Sequence, residues 1–319
     1  MNIRAQAIAL ACALPLLAQE APPEEARQGV EAAPVELSLR FRPGTRLVYE
    51  ARQTVEATTG ELGTTTVQTA FEVERELEPV EGGGARVVET WRSVLQEVGA
   101  GGKTHTLDTR DGTSSGLPEV DCLRGLVGGS IRWEVDPAGK VSRLEGGPAL
   151  AERVIARVPE EQRELWRLQL ASTLSDEVLT RQAEEGFLSF PAGPIQPGDG
   201  WRRTSPLAVP PIGDLERTQD FVYLGLVDRN GTRCAKLWVR TRVAGVADRR
   251  VEVEGHAMVA SIDPFEGEGP MLVRVEDGAL LEAGPLELRW AVRLTVAGQP
   301  VECRYRALTR VEARPAPPR

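Results

Sequence analysis

The chain has 319 residues, a formal net charge of −9 and 41% hydrophobic residues, which supplies a sizeable core and excludes wholesale disorder. The acidic balance comes without any basic block and so excludes nucleic acid as a partner, because phosphate binding needs clustered cations. Only Lys103, Lys140 and Lys236 are lysines among 38 basic residues, a bias that reads as coding-sequence composition rather than Arg-based anion recognition.

Arg4 precedes a run from Ala5 to Leu17 that is apolar apart from Gln6 and ends in Leu16-Leu17-Ala18. This pattern predicts an export signal over residues 1–18, cleaved after Ala18. The run is too short to span a membrane, which takes about 20 apolar residues, and no later stretch approaches that length. Cys12 raises a lipid anchor as the alternative, but Ala9 stands where such signals carry Leu, and apolar sequence continues past the cysteine. The expected destination is therefore the periplasm or the extracellular space, in soluble form. Residues 19–34 are rich in Ala, Glu and Pro and read as a flexible leader. A single β-rich domain is expected over 35–313, followed by a disordered Pro-rich tail over 314–319.

Three cysteines remain after the signal: Cys122, Cys234 and Cys303. Cys234 and Cys303 lie in strand-like segments and form the candidate disulfide, although spacing alone does not show them within reach.

Period-two alternation dominates both halves of the domain. Leu37, Leu39 and Phe41 lead to a Pro43-Gly44 turn and then to Leu47, Tyr49 and Ala51. Val67, Phe71, Val73 and Leu77 face away from Glu72, Glu74, Glu76 and Glu78, and Gly82-Gly83-Gly84 ends that strand. Val135 to Val141 reads as a hairpin through Asp136-Pro137-Ala138-Gly139, and Asp228 to Gly231 as a second one, since Asn-Gly tolerates positive φ. Near the C-terminus, Leu286, Leu288, Trp290, Val292, Leu294 and Val296 alternate with polar residues. After a Gly298-Gln299-Pro300 turn, Val301, Cys303, Tyr305, Ala307 and Val311 do the same. An eleven-residue strand spans roughly 36 Å, which suits a large curved sheet.

The middle of the chain changes period. Pro148 and Pro159 each start a helix, Glu160 and Glu161 suit a first turn, and Leu165, Leu168, Leu174, Val178 and Leu179 recur at helical spacing up to Gly186. The predicted architecture is mainly β: one curved antiparallel sheet, half-barrel-like, covered by two or three helices near residues 148–185. Leu165, Leu168, Leu174 and Val178 are expected to bury against Leu288, Trp290 and Val292. Asp199 is expected to hold a turn and Trp201 to anchor the core.

The Pro194-Ile195-x-x-Gly198-Asp199-x-Trp201 element, the Val135–Val141 hairpin and the early Pro43, Gly44 and Tyr49 segment resemble a domain-of-unknown-function family of secreted bacterial β-rich proteins. The resemblance runs from about Val35 to the C-terminus and carries over no catalytic residue. At fold level the pattern is also similar to periplasmic lipoprotein-carrier half-barrels, an analogy that transfers no function.

No residue is assigned as catalytic, cofactor-binding or metal-ligating, and no cofactor is implied. His105 and His256 have neither metal-ligand spacing nor a neighbouring nucleophile motif and read as ordinary strand residues. No Gly-x-Ser-x-Gly elbow or phosphate-binding glycine loop occurs. The Glu72 to Glu78 row reads as a solvated strand face. Asp263, Glu266 and Glu268 share a Gly/Pro loop that reads as polar surface, with calcium as the alternative. The expected function is a non-catalytic exported envelope protein that binds a lipid or other apolar ligand on the concave face of its sheet. One alternative is a structural or protein-interaction module of the envelope, and another is an exported hydrolase with a site that motifs do not show.

Overall fold

In the computed structural model, residues 22–317 are described apart from 43, 60–62, 210–211, 254–255 and 297–298. The predicted signal, Cys12, Pro43 and Gly298 lie outside the described residues.

Among the described residues, fourteen antiparallel strands form one sheet. In chain order the first half contributes β1 (Thr45–Thr59), β2 (Gly63–Pro79), β3 (Ala85–Ala100), β4 (Lys103–Asp108), β5 (Ser130–Val135) and β6 (Val141–Glu145). The second half contributes β7 (Gly200–Val209), β8 (Gly213–Arg229), β9 (Thr232–Val243), β10 (Val246–Val253), β11 (His256–Ile262), β12 (Phe265–Arg274), β13 (Leu280–Val296) and β14 (Gln299–Pro315). The spatial order is β6-β5-β3-β2-β1-β14-β13-β12-β9-β8-β7, with β4 beside β3 and the β10–β11 hairpin attached to β13. Both predicted hairpins form. Asp136 Oδ1 accepts from the Ala138 and Lys140 N–H groups at 2.9 Å. Asn230 and Gly231 take φ of 55° and 78°.

The strands are long, with 17 residues in β2, β8, β13 and β14. A strand of that length would reach on the order of 55 Å if straight, so twist and bulges must curl the sheet. Bulges fall between Glu72 and Val73 in the β2–β3 pair, Tyr223 and Gly225 in β8–β9, and Ala283 and Leu286 in β13–β14.

The α-helices among the described residues are α1 (Pro118–Asp121), α2 (Gly147–Ile155), α3 (Arg163–Leu174) and α4 (Asp176–Gly186). Ser175 separates the last two, its hydroxyl capping α4 by accepting from the Val178 N–H at 3.3 Å. The helices bury a different face from the one expected. Leu165 and Leu168 are 43% and 67% exposed, whereas Trp166, Leu170 and Leu179 are buried. The stripe that turns inward is Trp166, Leu170 and Leu174, because the indole carries more apolar area than any leucine. The partner surface differs as well. Trp166, Leu170 and Leu179 join Ile131, Trp133 and Leu144 of β5 and β6 in one core cluster. Leu288, with Trp290 and Val292 packed against it, belongs to a separate cluster with Met258 and Phe265.

α4 lies where the two ends of the sheet approach each other. Glu184 Oε1 accepts from the Val141 N–H of β6 at 3.1 Å, while Arg203 of β7 donates to the Glu184 and Phe187 carbonyls at 3.1 Å. Arg181 bonds Asp214 of β8 at 2.9 Å. A sheet that does not close by strand pairing is thus bridged by a helix.

The leader behaves differently from expectation. Glu24–Arg27 form a 3-10 turn with Ala26 buried, and Glu31 pairs with Leu226 through two backbone bonds of 2.8 and 2.9 Å. Gly225 makes this contact possible, since a Cβ there would collide with Val30 and the Glu31 carbonyl. Residues 36–42, expected as a strand arm, have no strand partner, yet Leu37 is buried. At the other end, Arg314 and Pro315 belong to β14, opposite Val48 and Leu47, so strand pairing extends into the predicted tail.

The candidate disulfide is absent: Cys122, Cys234 and Cys303 are buried free thiols. Cys234 on β9 and Cys303 on β14 are three strand positions apart, roughly 14 Å at the usual spacing, which no disulfide spans. Burial pushes the Cys122 thiol up to about 12. A thiol reagent is expected to leave all three unlabelled in the native protein and to label all three after unfolding. A mass two hydrogens short before reduction would show a bond instead.

Trp201 is half-buried rather than sealed in the core. It stacks on Phe221 at 5.1 Å between centroids, and its Nε1 donates to the Ser189 carbonyl at 2.9 Å. Asp199 does hold its turn, with Oδ2 accepting from the Gln196 N–H at 2.7 Å. Trp201→Ala is therefore expected to cost about 2 kcal/mol in chemical denaturation, less than a sealed tryptophan would.

Candidate functional site: an apolar cavity inside the curved sheet

Alternation decides which side chains meet inside the curve. On β2 the inward row is Thr69, Phe71, Val73, Arg75 and Leu77, and on β1 it is Leu47, Tyr49, Ala51 and Gln53. On β3 the inward row changes phase. Ser93 stands opposite Glu72 while Trp91 stands opposite Val73, so Arg92 is the extra residue of a bulge. Glu89 and Trp91 point inward before it, whereas Val94 and Gln96 are buried beyond it. Ile131 and Trp133 of β5 complete the floor. Leu179 and Ala183 of α4, with Phe187 just after it, form the roof.

These surfaces line a partly open cavity of about 350 Å³. That is at the lower end of the roughly 300–1,000 Å³ typical of small-molecule sites. Two irregular segments wall its side, Leu39 to Phe41 and Asp277 to Ala279, the latter leading into Leu280 of β13. Gly278 lets them approach, because a Cβ there would lie 2.6 Å from the Ser38 carbonyl oxygen. Asp277 is clamped by Arg274 through bonds of 2.8 and 2.6 Å.

The polar centre of the wall is Arg75. Its Nε donates to Glu89 Oε1 at 2.7 Å, and its guanidinium lies 4.7 Å from the Tyr49 ring, 5.4 Å from Phe187 and 5.9 Å from Trp133. Burial opposes the Arg75 charge, but Glu89 and Tyr49 outweigh it and hold the guanidinium above its ordinary range. Burial pushes the Tyr49 hydroxyl up against the pull of Arg75. Both groups thus keep their ordinary protonation near neutral pH: arginine charged, tyrosine neutral.

Arg75 and Glu89 match no sequence motif, yet the strand pattern carries a signal for both. Arg75 interrupts the dry row of β2 between Val73 and Leu77, and Glu89 sits between Val87 and Trp91 on the inward phase of β3. A charge in an apolar row needs a partner, and the two satisfy each other.

The other chemistry-bearing residues lie elsewhere. His105 is on β4 with its Nδ1 3.2 Å from the Ser115 carbonyl, and His256 begins β11. Glu74 departs from the solvated-face expectation: it is 5% exposed and clasped by Arg46 and Arg92, because long guanidinium side chains from neighbouring strands fold over it. Arg46 and Arg92 outweigh the effect of burial and hold the Glu74 carboxyl below its usual range. Asp263 pairs with Arg293 at 2.6 Å and Glu268 with Arg240, so those acids are engaged separately. Among the described residues no group of three or more His, Cys, Asp or Glu is arranged to hold a metal, and no helix is long and apolar enough to cross a membrane.

Fold and cavity together define an open antiparallel container: a curved sheet, unclosed by strand pairing, with a helical roof over an apolar hollow. Residues 90–221 match a family of unknown function, DUF6263. The matched segment includes the Val135–Val141 hairpin and the Pro194–Trp201 element but not Gly44 or Tyr49, so the likeness is narrower than the motifs implied. No curated protein matches the chain. A structure of lipovitellin, concerned with its lipid–protein interactions, aligns with 88% of this chain at 11% identity and a TM-score of 0.40. The chain spans 26% of that lipovitellin chain. DynF, from the dynemicin pathway of Micromonospora chersina, aligns over 93% of this chain and 92% of its own at 9% identity, with a TM-score of 0.18. A DUF1329 family protein from Desulfovibrio piger aligns over 83% and 84% at 9% identity, with a TM-score of 0.13. Scores this low establish no common fold.

Proposed function

We propose that this is a non-catalytic exported protein that holds a lipid-like or other apolar ligand inside its curved sheet. The observation that carries the proposal is the cavity of about 350 Å³ lined by Leu47, Phe71, Val73, Trp91, Ile131 and Leu179. A hollow of this size with apolar walls gives up dispersion contacts when empty, and an apolar guest restores them. Its polar groups are too few and too mutually engaged to suggest general acid–base chemistry, which calls for a titratable group with a free partner.

Export rests on the signal pattern of residues 1–18. One experiment addresses both parts. Native mass spectrometry of protein isolated from its own envelope fraction is expected to show a chain beginning at or near Gln19 and carrying a small apolar adduct. An intact Met1 would sink export, and a bare chain under gentle conditions would sink the ligand reading. A partner-binding role is favoured by a different observation, the adjacent exposed leucines Leu165 and Leu168 on α3. A second polypeptide retained in that spectrum would support it.

A further inference from the structure

We infer that the cavity selects uncharged amphiphiles and rejects carboxylates and amines of the same chain length; this rests on reading the cavity as a ligand site. The charges that face its interior are already balanced. Arg75 and Glu89 form an ion pair with side chains 16% and 15% exposed, and Asp277 is held at both carboxylate oxygens by Arg274. Arg40 keeps its Nε on Ser38 Oγ at 3.0 Å on the exposed surface, and Arg52 points outward to Glu50 at 2.7 Å.

A carboxylate carried past the rim, where the exposed Arg40 stands, loses its water and gains no unpaired cation inside. The guanidinium of Arg75 is occupied by Glu89 and walled by three aromatic rings, so the newcomer meets the Glu89 charge at close range. An ammonium group meets Arg75 in the same way. A hydroxyl or ester head carries no such penalty, and Thr309, whose Oγ1 accepts from Gln53 Nε2 at 3.3 Å, keeps its hydroxyl proton to donate to it. Discrimination therefore comes from rejecting charge rather than from added attraction.

The test uses the full folded chain and an environment-sensitive apolar dye, displaced by dodecanol, methyl laurate, laurate or dodecylamine below their micellar concentrations. Dodecanol and methyl laurate are expected to bind at least about tenfold tighter than laurate and dodecylamine. Laurate within about tenfold of its methyl ester would overturn the inference and leave the ligand site standing. Failure of the dye and all four probes to bind would instead overturn the ligand site itself. In Glu89→Gln the laurate penalty relative to the ester is expected to shrink by about tenfold, because the repelling charge is gone. An unchanged penalty in that folded variant would remove Glu89 from the argument, and if the variant does not fold the wild-type comparison decides alone.

Discussion

Replacing Trp133 by alanine is expected to lower the unfolding free energy by about 3–5 kcal/mol. The indole is 2% exposed, on the inner face of β5 opposite Val87 and Leu144 of the flanking strands. It shares a core cluster with Trp166, Leu179 and Phe187, so one truncation loosens the sheet from the helices above it. Its Nε1 finds no partner among the described residues. Trp133→Phe therefore forfeits area without a hydrogen bond and should cost roughly half as much. In urea denaturation the midpoint should fall with an unchanged slope, as for a loss of packing in a two-state unit. A loss below about 1 kcal/mol for Trp133→Ala would mean that the helical roof is not secured through this residue.

Glu89→Ala is expected to cost about 3–5 kcal/mol, because it strands the Arg75 guanidinium in an apolar wall. Burial of both side chains separates this pair from the many ion pairs on the outer faces. Arg143 and Glu145, for example, are 68% and 60% exposed, and removing either should change stability by only about 0–1 kcal/mol. Replacing both cavity residues, as Arg75→Met with Glu89→Leu, should come within about 1 kcal/mol of the wild type, since an apolar pair needs no mutual neutralisation. The double-mutant cycle then reads the coupling directly. Should Glu89→Ala behave like the exposed pair, the cavity would be water-filled and would not discriminate against charged heads.

Much of the strand and turn pattern was legible in the chain. The Asp136–Gly139 and Asp228–Gly231 turns carry their geometry in residue chemistry, since an Asp oxygen and a residue tolerant of positive φ act within four positions. The dry row Val67, Phe71, Val73 and Leu77 did face inward, because in a strand the side-chain period is fixed by the backbone. Helix existence was legible for the same reason, with Pro159 at the start of the helical run and Gly186 as its last residue.

The inner stripe of α3 was not legible. Leu165-Leu168 and Trp166-Leu170 are both acceptable helical spacings, and only contact with β5 and β6 chose between them. The fate of the cysteines was equally hidden, because strand order rather than spacing separates Cys234 from Cys303.

What the sequence determined by itself was local: strand alternation, turn geometry, the helical middle and the balance of apolar and acidic residues. The tertiary structure decided everything that depends on phase and closure. The single extra residue Arg92 switches the inward phase of β3, so that Glu89 and Trp91 reach the cavity while Val94 and Gln96 are buried beyond them. Such a shift costs nothing visible in composition. Bonds from α4 and Phe187 to both β6 and β7 then place a roof over an unclosed sheet. The hollow exists because residues distant in the chain, such as Tyr49, Arg75, Glu89 and Phe187, converge only once curvature, bulge and bridge are all in place. Each of these depends on contacts that no stretch of sequence contains alone.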